Sequence, residues 1–302
     1  MTEQVIRNNE TREDHHLVSP TAKLVAHLRV GTDIPYSADI DRICEAGKTT
    51  EELFGSRESL IWMSALLELR YKSLSELLNR EMSNRNIRQV LELACGIQPR
   101  GLIMSEDPNI MYVETDLVDM AEEKRRLIPQ LSPDALNRSN YRIESLNVLN
   151  RQDIDRVIPQ FGNEAVAIIN EGLLPYLSPA EKRIAAQNIL AILGRNGGVW
   201  ITPDISNSGR LKSMVSLFPG VAEVLGKISK ATARNLASHQ VGTDKESAIQ
   251  FFTELGFRVT EYKQKELVPD IHSLAEIQDE DVRNRVDSIL LNDSNIWILE
   301  KA

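Results

Sequence analysis

Cysteine is almost missing from this chain: Cys44 and Cys95 are the only two in 302 residues. Thiols so far apart form neither a disulfide framework nor the close spacing of a zinc site, and the expected compartment is a reducing, cytoplasmic one. Cys95 falls in a glycine turn, where a buried thiol acts as a small apolar side chain. Long apolar runs are missing too. No stretch of about 18 apolar residues occurs, so no membrane-spanning helix is expected. Residues 1–16 are polar and acidic, without the apolar centre of a signal peptide. A basic surplus is also lacking, since 35 lysines and arginines face 44 aspartates and glutamates, a net charge of −9. Nucleic acid is therefore not the expected partner. The mixed cluster Glu122-Glu123-Lys124-Arg125-Arg126 reads as a solvated helix face. His15-His16 has no ligand partners at suitable spacing, and no metal is expected.

What the chain has is two patterns in succession. Ser19-Pro20 reads as an N-cap with proline at N1, opening a short helix with Val25 and Leu28 inward. A longer helix over 59–82 carries Leu60, Met63, Leu66, Leu67 and Leu74 on one stripe. From residue 87, strands alternate with helices. Strands are expected at 88–95, 110–117, 141–148, 165–171, 198–204, 257–263 and 295–301. Short apolar runs such as 166–170 suit strands covered on both faces. Ser178-Pro179-Ala180-Glu181 is a capping box for a helix that Gly194 and Gly197-Gly198 stop. A second box, Thr243 to Glu246, opens a helix that Gly256 closes, and a last helix is expected around 281–291. The alternation means a mostly parallel sheet, with the final strand paired beside 257–263. About 40 residues, 206–242, are too many for a simple loop and read as a helical insert. The organisation read is an N-terminal helical cap, 1–86, and an α/β domain, 87–302, with 206–242 contributing to the cap.

The most informative stretch is Val90-Leu91-Glu92-Leu93-Ala94-Cys95-Gly96, with Asp116 about 20 residues on. A strand ending in a glycine turn, then a strand ending in a carboxylate, is an arrangement that holds an adenosine. The turn lacks the three glycines that a pyrophosphate needs, which disfavours a dinucleotide. Each residue also has a plainer role. Gly96 serves a bare strand-to-helix turn, Asp116 a helix cap, and Asn147 a turn. Glu171 follows four apolar residues and Asn170, where a lone carboxylate needs a partner that a cationic ligand would supply. His239 and Tyr176 are the candidate general bases, and a structural loop hydrogen bond is the alternative for His239. His27, within an apolar helix, reads as a packed core histidine.

The segment Ile169-Asn170-Glu171-Gly172-Leu173-Leu174-Pro175-Tyr176-Leu177 resembles the E-G-L-L-x-Y-L signature of the leucine carboxyl methyltransferase-like family. Ser19-Pro20-Thr21-Ala22 resembles its S-x-T-A helix start, 91–100 its glycine motif, and 113–126 its acidic strand and following helix. The chain departs from the family in the glycine turn at Gln98-Pro99, where aspartate-threonine is usual, and in the signature at Pro175, where methionine is often found. The resemblance implies a Rossmann-like class I methyltransferase fold, seven-stranded with an antiparallel last strand. It also implies S-adenosylmethionine as cofactor and methylation of oxygen, on small molecules such as polyketides or on a protein C-terminal carboxylate. Carried over by position, Arg70 meets the methionyl carboxylate, and Gly96 admits the backbone. Glu92 belongs to the cofactor set, Asp116 takes the ribose hydroxyls, Leu146 and Asn147 flank the adenine, and Glu171 sits near the methionyl ammonium and sulfonium.

The expected function is S-adenosylmethionine-dependent methyl transfer to a hydroxyl or carboxylate of a small molecule. The alternatives are a protein C-terminal carboxyl methyltransferase, a non-catalytic binding protein with the same fold, and a dehydrogenase. A carboxylate acceptor is already ionised, whereas a hydroxyl needs a base within hydrogen-bond reach. Acceptor contacts are expected from residues 19–30 and from the insert.

Overall fold

A computed structural model describes residues 19–47, 57–217, 219–232, 234, 238–275 and 277–302; the expectations for residues 1–18 lie outside them. The expected strands all form: β1 (Gln89–Leu93), β2 (Met111–Asp116), β3 (Tyr141–Ser145), β4 (Val166–Asn170), β5 (Gly198–Thr202), β6 (Phe257–Lys263) and β7 (Asn295–Lys301). They make one sheet in the order β3-β2-β1-β4-β5-β7-β6, in which only β7 runs antiparallel to its neighbours. Both β1 and β4 are buried along their whole length, while the edge strands β3 and β6 mix buried and exposed positions. The apolar run of β4 matches its central place, whereas β1 is equally buried with Gln89 and Glu92 among its residues.

Around the sheet lie α1 (Ser19–Leu28), α2 (Ser37–Cys44), α3 (Arg57–Arg85), α4 (Arg100–Met104), α5 (Val118–Leu131), α6 (Arg151–Val157), α7 (Pro179–Asn196), α8 (Ser208–Leu217), α9 (Pro219–Ala231), α10 (Lys245–Glu254), α11 (Gln264–Leu267), α12 (His272–Ala275) and α13 (Glu280–Asp293). Successive strand residues point to opposite faces, so the sheet has two cores. Leu91, Ile168 and Trp200 pack with Ile154 of α6, Ile189 of α7 and Phe252 of α10. Val90, Ile169 and Ile201 pack with Leu74 and Leu77 of α3 and Ile128 of α5. At the start of β5, a Cβ on Gly198 would lie 2.0 Å from the Val166 carbonyl oxygen, so only glycine allows this approach to β4. Among the described residues, no helix is long and apolar enough to cross a membrane.

Several local expectations are corrected. The Ser178 box forms, with Ser178 Oγ accepting from Glu181 N and Glu181 Oε2 from Ser178 N. Gly194 does not stop α7, which runs to Asn196 and is capped by Gly197 at φ +71°. One interior glycine costs only about 1 kcal/mol. The second box is displaced by one residue to Asp244 and Ser247. Asp244 Oδ1 accepts from Ser247 N at 2.8 Å, while the Thr243 hydroxyl bonds to Asp244 instead. Lys124 is not solvated: it is fully buried and bonds Glu114 Oε1 at 2.8 Å. His27 is half-buried and bonds Asp41 Oδ1 at 2.7 Å, so it is not a purely apolar core residue.

The stretch 206–242 does contain two helices, α8 and α9. Ile228 of α9 packs against Leu24 and Leu28 of α1 and Leu67 of α3, with Tyr176 at the edge of this cluster. The first helix and the insert therefore meet beyond the carboxyl end of β4.

Candidate active site

Strand order reverses between β1 and β4, and the crevice outside strand ends at such a switch point is where open α/β sheets bind ligands. A cavity of about 250 Å³ lies there. Its floor is the turn after β1 (Ala94 and residues 96–99), flanked by Asp116 after β2 and by Glu171 and Gly172 after β4. Thr21, Ala22, Val25, Ala26 and Arg29, in and just after α1, form much of the opposite wall, and Tyr176 completes it.

The turn is bent by two left-handed residues, Ala94 at φ +52° and Gly96 at φ +52°. The space above Gly96 is open, since an added Cβ would meet only Ala22 Cβ at 3.9 Å. Glycine is thus needed there for conformation rather than for clearance. The Ala94 backbone carries ~1–2 kcal/mol of strain. Asp116 ties this turn to β2: Oδ2 accepts from Gly96 N at 2.7 Å and Oδ1 from Leu117 N at 2.8 Å. Burial pushes the Asp116 carboxyl above its ordinary range, against the lowering effect of those two amides. The N-cap of α5 is Leu117, without a side-chain cap. Asp116 is therefore a buried link in the cavity wall rather than the residue that caps the helix.

Glu171 has the partner its burial demands, but the protein supplies it. Arg29 Nη2 donates to Oε1 at 2.9 Å and Arg100 Nη2 to Oε2 at 3.1 Å, while Arg70 Nε stands 3.8 Å from Oε1. Burial raises the Glu171 pKa; the guanidiniums of Arg29, Arg100 and Arg70 outweigh it and hold the carboxyl below its usual range. The expectation that a cationic ligand is the missing partner is corrected accordingly. The Tyr71 ring lies 5.3 Å from the Arg29 guanidinium and 4.3 Å from that of Arg100, fixing both.

Other expected site residues fall behind this layer. Glu92 does not line the cavity; it is fully buried and accepts from Arg100 Nη1 at 2.5 Å and Tyr112 OH at 2.7 Å. Arg70 donates to Asp204 Oδ1 at 2.5 Å. Asp204 in turn holds the backbone amides of Gly172, Leu173 and Leu174. Leu146 belongs to the core beneath the sheet. Asn147 Oδ1 accepts from Leu149 N at 3.0 Å, as a turn residue does. Neither Leu146 nor Asn147 lines the cavity.

Of the candidate bases, Tyr176 lines the cavity and is hydrogen-bonded to the Thr21 side chain, and burial pushes its phenol up to about 12. It remains protonated at neutral pH and acts as a donor. His239 lies outside the cavity lining, with Nδ1 3.2 Å from the Pro175 carbonyl oxygen; burial lowers its pKa. Lys182 holds the same segment, bonding the carbonyls of Leu177 and His239.

Two residues missed by sequence reasoning stand out. Arg29 follows α1, where a basic residue ordinarily answers the helix dipole; nothing local shows that it is 3% exposed and paired across 142 residues. Its Nε is buried and has no hydrogen-bond partner among the described residues. Gln98 is 8% exposed and is among the residues around the cavity; its Oε1 is closed to solvent and has no donor among the described residues.

Comparison with known proteins gives this geometry a family. The leucine carboxyl methyltransferase family model matches residues 6–189. The tetracenomycin polyketide synthesis O-methyltransferase of Streptomyces glaucescens is 28% identical over 116 residues, which covers 38% of this chain and 39% of that protein. The chain thus matches well under half the length of that curated relative. A DUF574-family protein structure from Streptomyces avermitilis superposes with a TM-score of 0.56 at 14% identity, covering 93% of this chain and 97% of that one, and so shares the fold. With a family match across more than half its length and a mostly parallel sheet around a switch-point cavity, the chain belongs to the leucine carboxyl methyltransferase family.

Proposed function

We propose that the chain transfers the methyl group to an oxygen of a small-molecule acceptor, with residues 1–86 and 206–242 forming a cap over the cofactor-binding domain 87–302. The observation that carries the site assignment is the Asp116–Gly96 link in a switch-point cavity that also holds the buried Arg29 guanidinium. The O-methyl reading follows the relative from Streptomyces glaucescens, a polyketide synthesis O-methyltransferase.

When bound, S-adenosylmethionine supplies a methyl group on a cationic sulfonium, which an acceptor oxygen takes by in-line displacement. Asp116 has lone pairs left for the ribose hydroxyls, and Gly96 keeps the backbone within reach of the ligand. Arg29, which lines the cavity and is backed by Arg70, would supply the positive charge for the methionyl carboxylate. Glu171 acts by holding Arg29 and Arg100, and Glu92 acts through Arg100. Apolar walls at Ala22, Val25, Ile40, Ile97 and Met120 exclude water, so that alignment, worth ~7–11 kcal/mol in well-oriented reactions, is the main catalytic contribution. For an acceptor that arrives ionised, a carboxylate or a phenolate, no base is needed, and Tyr176, held protonated, would orient its oxygen by donating to it.

The test is transfer of labelled methyl from S-adenosylmethionine to a panel of hydroxylated and carboxylated aromatic compounds, with peptides ending in a free leucine carboxylate alongside. Labelled small-molecule ether or ester is expected. Label confined to the peptides moves the chain to protein carboxyl methylation, and cofactor binding without transfer to any acceptor favours a binding protein.

A further inference from the structure

Asp204 is a buried charge outside the cavity. It follows β5 and lies beyond residue 189, where the family match ends, and its side chain is fully buried. A carboxylate so placed is costly unless donors surround it. They come from two elements. Arg70 Nη2 of α3 donates to Oδ1 at 2.5 Å. The end of β4 supplies the rest: Gly172 N to Oδ1 at 2.9 Å, and Asn170 Nδ2, Leu173 N and Leu174 N to Oδ2 at 2.7, 2.8 and 3.2 Å. Successive amides converging on an anion form a nest, and here the protein fills it with its own carboxylate. Asp204 is itself fixed, its amide donating to Thr202 Oγ1 at 3.1 Å.

The residues held in this way carry Tyr176. The carbonyls of Leu173 and Leu174 accept from the amides of Tyr176 and Leu177 at 3.2 and 3.1 Å, closing one 3₁₀ turn over Leu174–Tyr176. Asp204 therefore fixes the start of a turn whose far end puts the Tyr176 phenol in the cavity wall, bonded to Thr21. Resting on the reading of Tyr176 as the donor that orients the acceptor, we propose that Asp204 is a positioning residue for methyl transfer, acting through the amides of residues 172–174. It does not line the cavity. Both of its oxygens are needed. Asparagine offers one acceptor oxygen in place of two, so either Gly172 or the Leu173–Leu174 pair then faces an amide N–H.

A double-variant cycle in kcat tests it, at saturating cofactor and with the acceptor that wild type methylates fastest, so that changes in affinity drop out. Asp204→Asn and Asp204→Ala are both made, each with and without Tyr176→Phe, and one folded Asp204 variant suffices. In wild type, Tyr176→Phe should cost about 10- to 100-fold, the range of one hydrogen bond to a charged group. Each Asp204 variant should cost a similar factor, because a misplacement of about 1 Å is worth up to ~100-fold. In the Asp204 background, Tyr176→Phe should then cost less than about twofold, the scatter of independent sites. A merely structural Asp204 would lower the melting temperature and leave the Tyr176→Phe factor as it is in wild type. Equal factors in both backgrounds, or full kcat in a folded Asp204 variant, overturn the proposal and leave the role of Tyr176 intact. If Tyr176→Phe leaves the wild-type rate unchanged, the reading of Tyr176 fails and the proposal with it. Absence of transfer by wild type to any acceptor sinks the function reading and the proposal together.

Discussion

The pair Arg29–Glu171 joins the N-terminal helix to the catalytic crevice, and its removal tests whether this contact is energetic or incidental. Arg29→Leu deletes one of the guanidiniums around Glu171 but leaves Arg100 on Oε2 and Arg70 within 3.8 Å of Oε1. Leaving a buried charge alone costs ~3–5 kcal/mol. With two arginines remaining, about 2–3 kcal/mol is expected here. At ~2.1 cal/mol/K per residue, unfolding of 302 residues carries roughly 0.6 kcal/mol/K, so Tm should fall by about 3–5 °C. Glu171→Gln should cost a similar amount, because Arg29 then loses its counter-ion. The double variant should cost less than the two together, with a coupling of about 2 kcal/mol in urea unfolding. The pH dependence has a fixed sign. The folded Glu171 pKa lies below that of an unfolded glutamate, so the pair's stabilisation is complete above the unfolded value and is lost as pH falls through the folded one. The gap between wild type and Arg29→Leu should be constant between roughly pH 6 and 8 and should narrow below about pH 4. Additivity within ~0.5 kcal/mol, or a gap that grows on acidification, would refute the reasoning.

Asp116→Ala should weaken S-adenosylhomocysteine binding by ~1–3 kcal/mol through loss of the ribose acceptor, and unchanged affinity in calorimetry would reduce Asp116 to a fold residue. Tyr176→Phe should lower the rate while leaving the shape of the kcat/KM pH profile unchanged, because a phenol pushed up to about 12 donates and does not act as base. Loss of an ascending limb on the acidic side of that profile would restore it as a general base. Lys182, buried among carbonyls, has its pKa lowered to about 8 by burial. The unfolded chain therefore binds the extra proton at mildly basic pH, and stability should rise with pH from about 8 to about 10. Melting curves of Lys182→Met should lack that slope, and an identical slope would place its origin elsewhere.

The parts of the fold that sequence shows well are those set by local chemistry. Val166 to Asn170 is apolar throughout because β4 is covered on both faces, and Ser178-Pro179-Ala180-Glu181 holds its own capping bonds. Asp116 and Gly96 were legible for the same reason, since strand ends and turns carry their own signals. Glu171 was legible only in part. Its burial implied a cationic partner, but the partner is Arg29, 142 residues away, and Arg100, 71 residues away. No period or spacing encodes such pairing. Glu92 illustrates the same limit: its strand position was clear, while its engagement by Arg100 and Tyr112 behind the cavity depends on packing. Asn147 followed its plainer local role, a turn, rather than the one carried over by position.

The central claim is that the cavity between Gly96, Asp116 and Arg29 is where the cofactor lies. A crystal structure with S-adenosylhomocysteine tests it most directly. The account predicts both ribose hydroxyls at the Asp116 carboxylate and the ligand carboxylate at Arg29. Ligand density anywhere else on the sheet, or a ribose out of reach of Asp116, would contradict it.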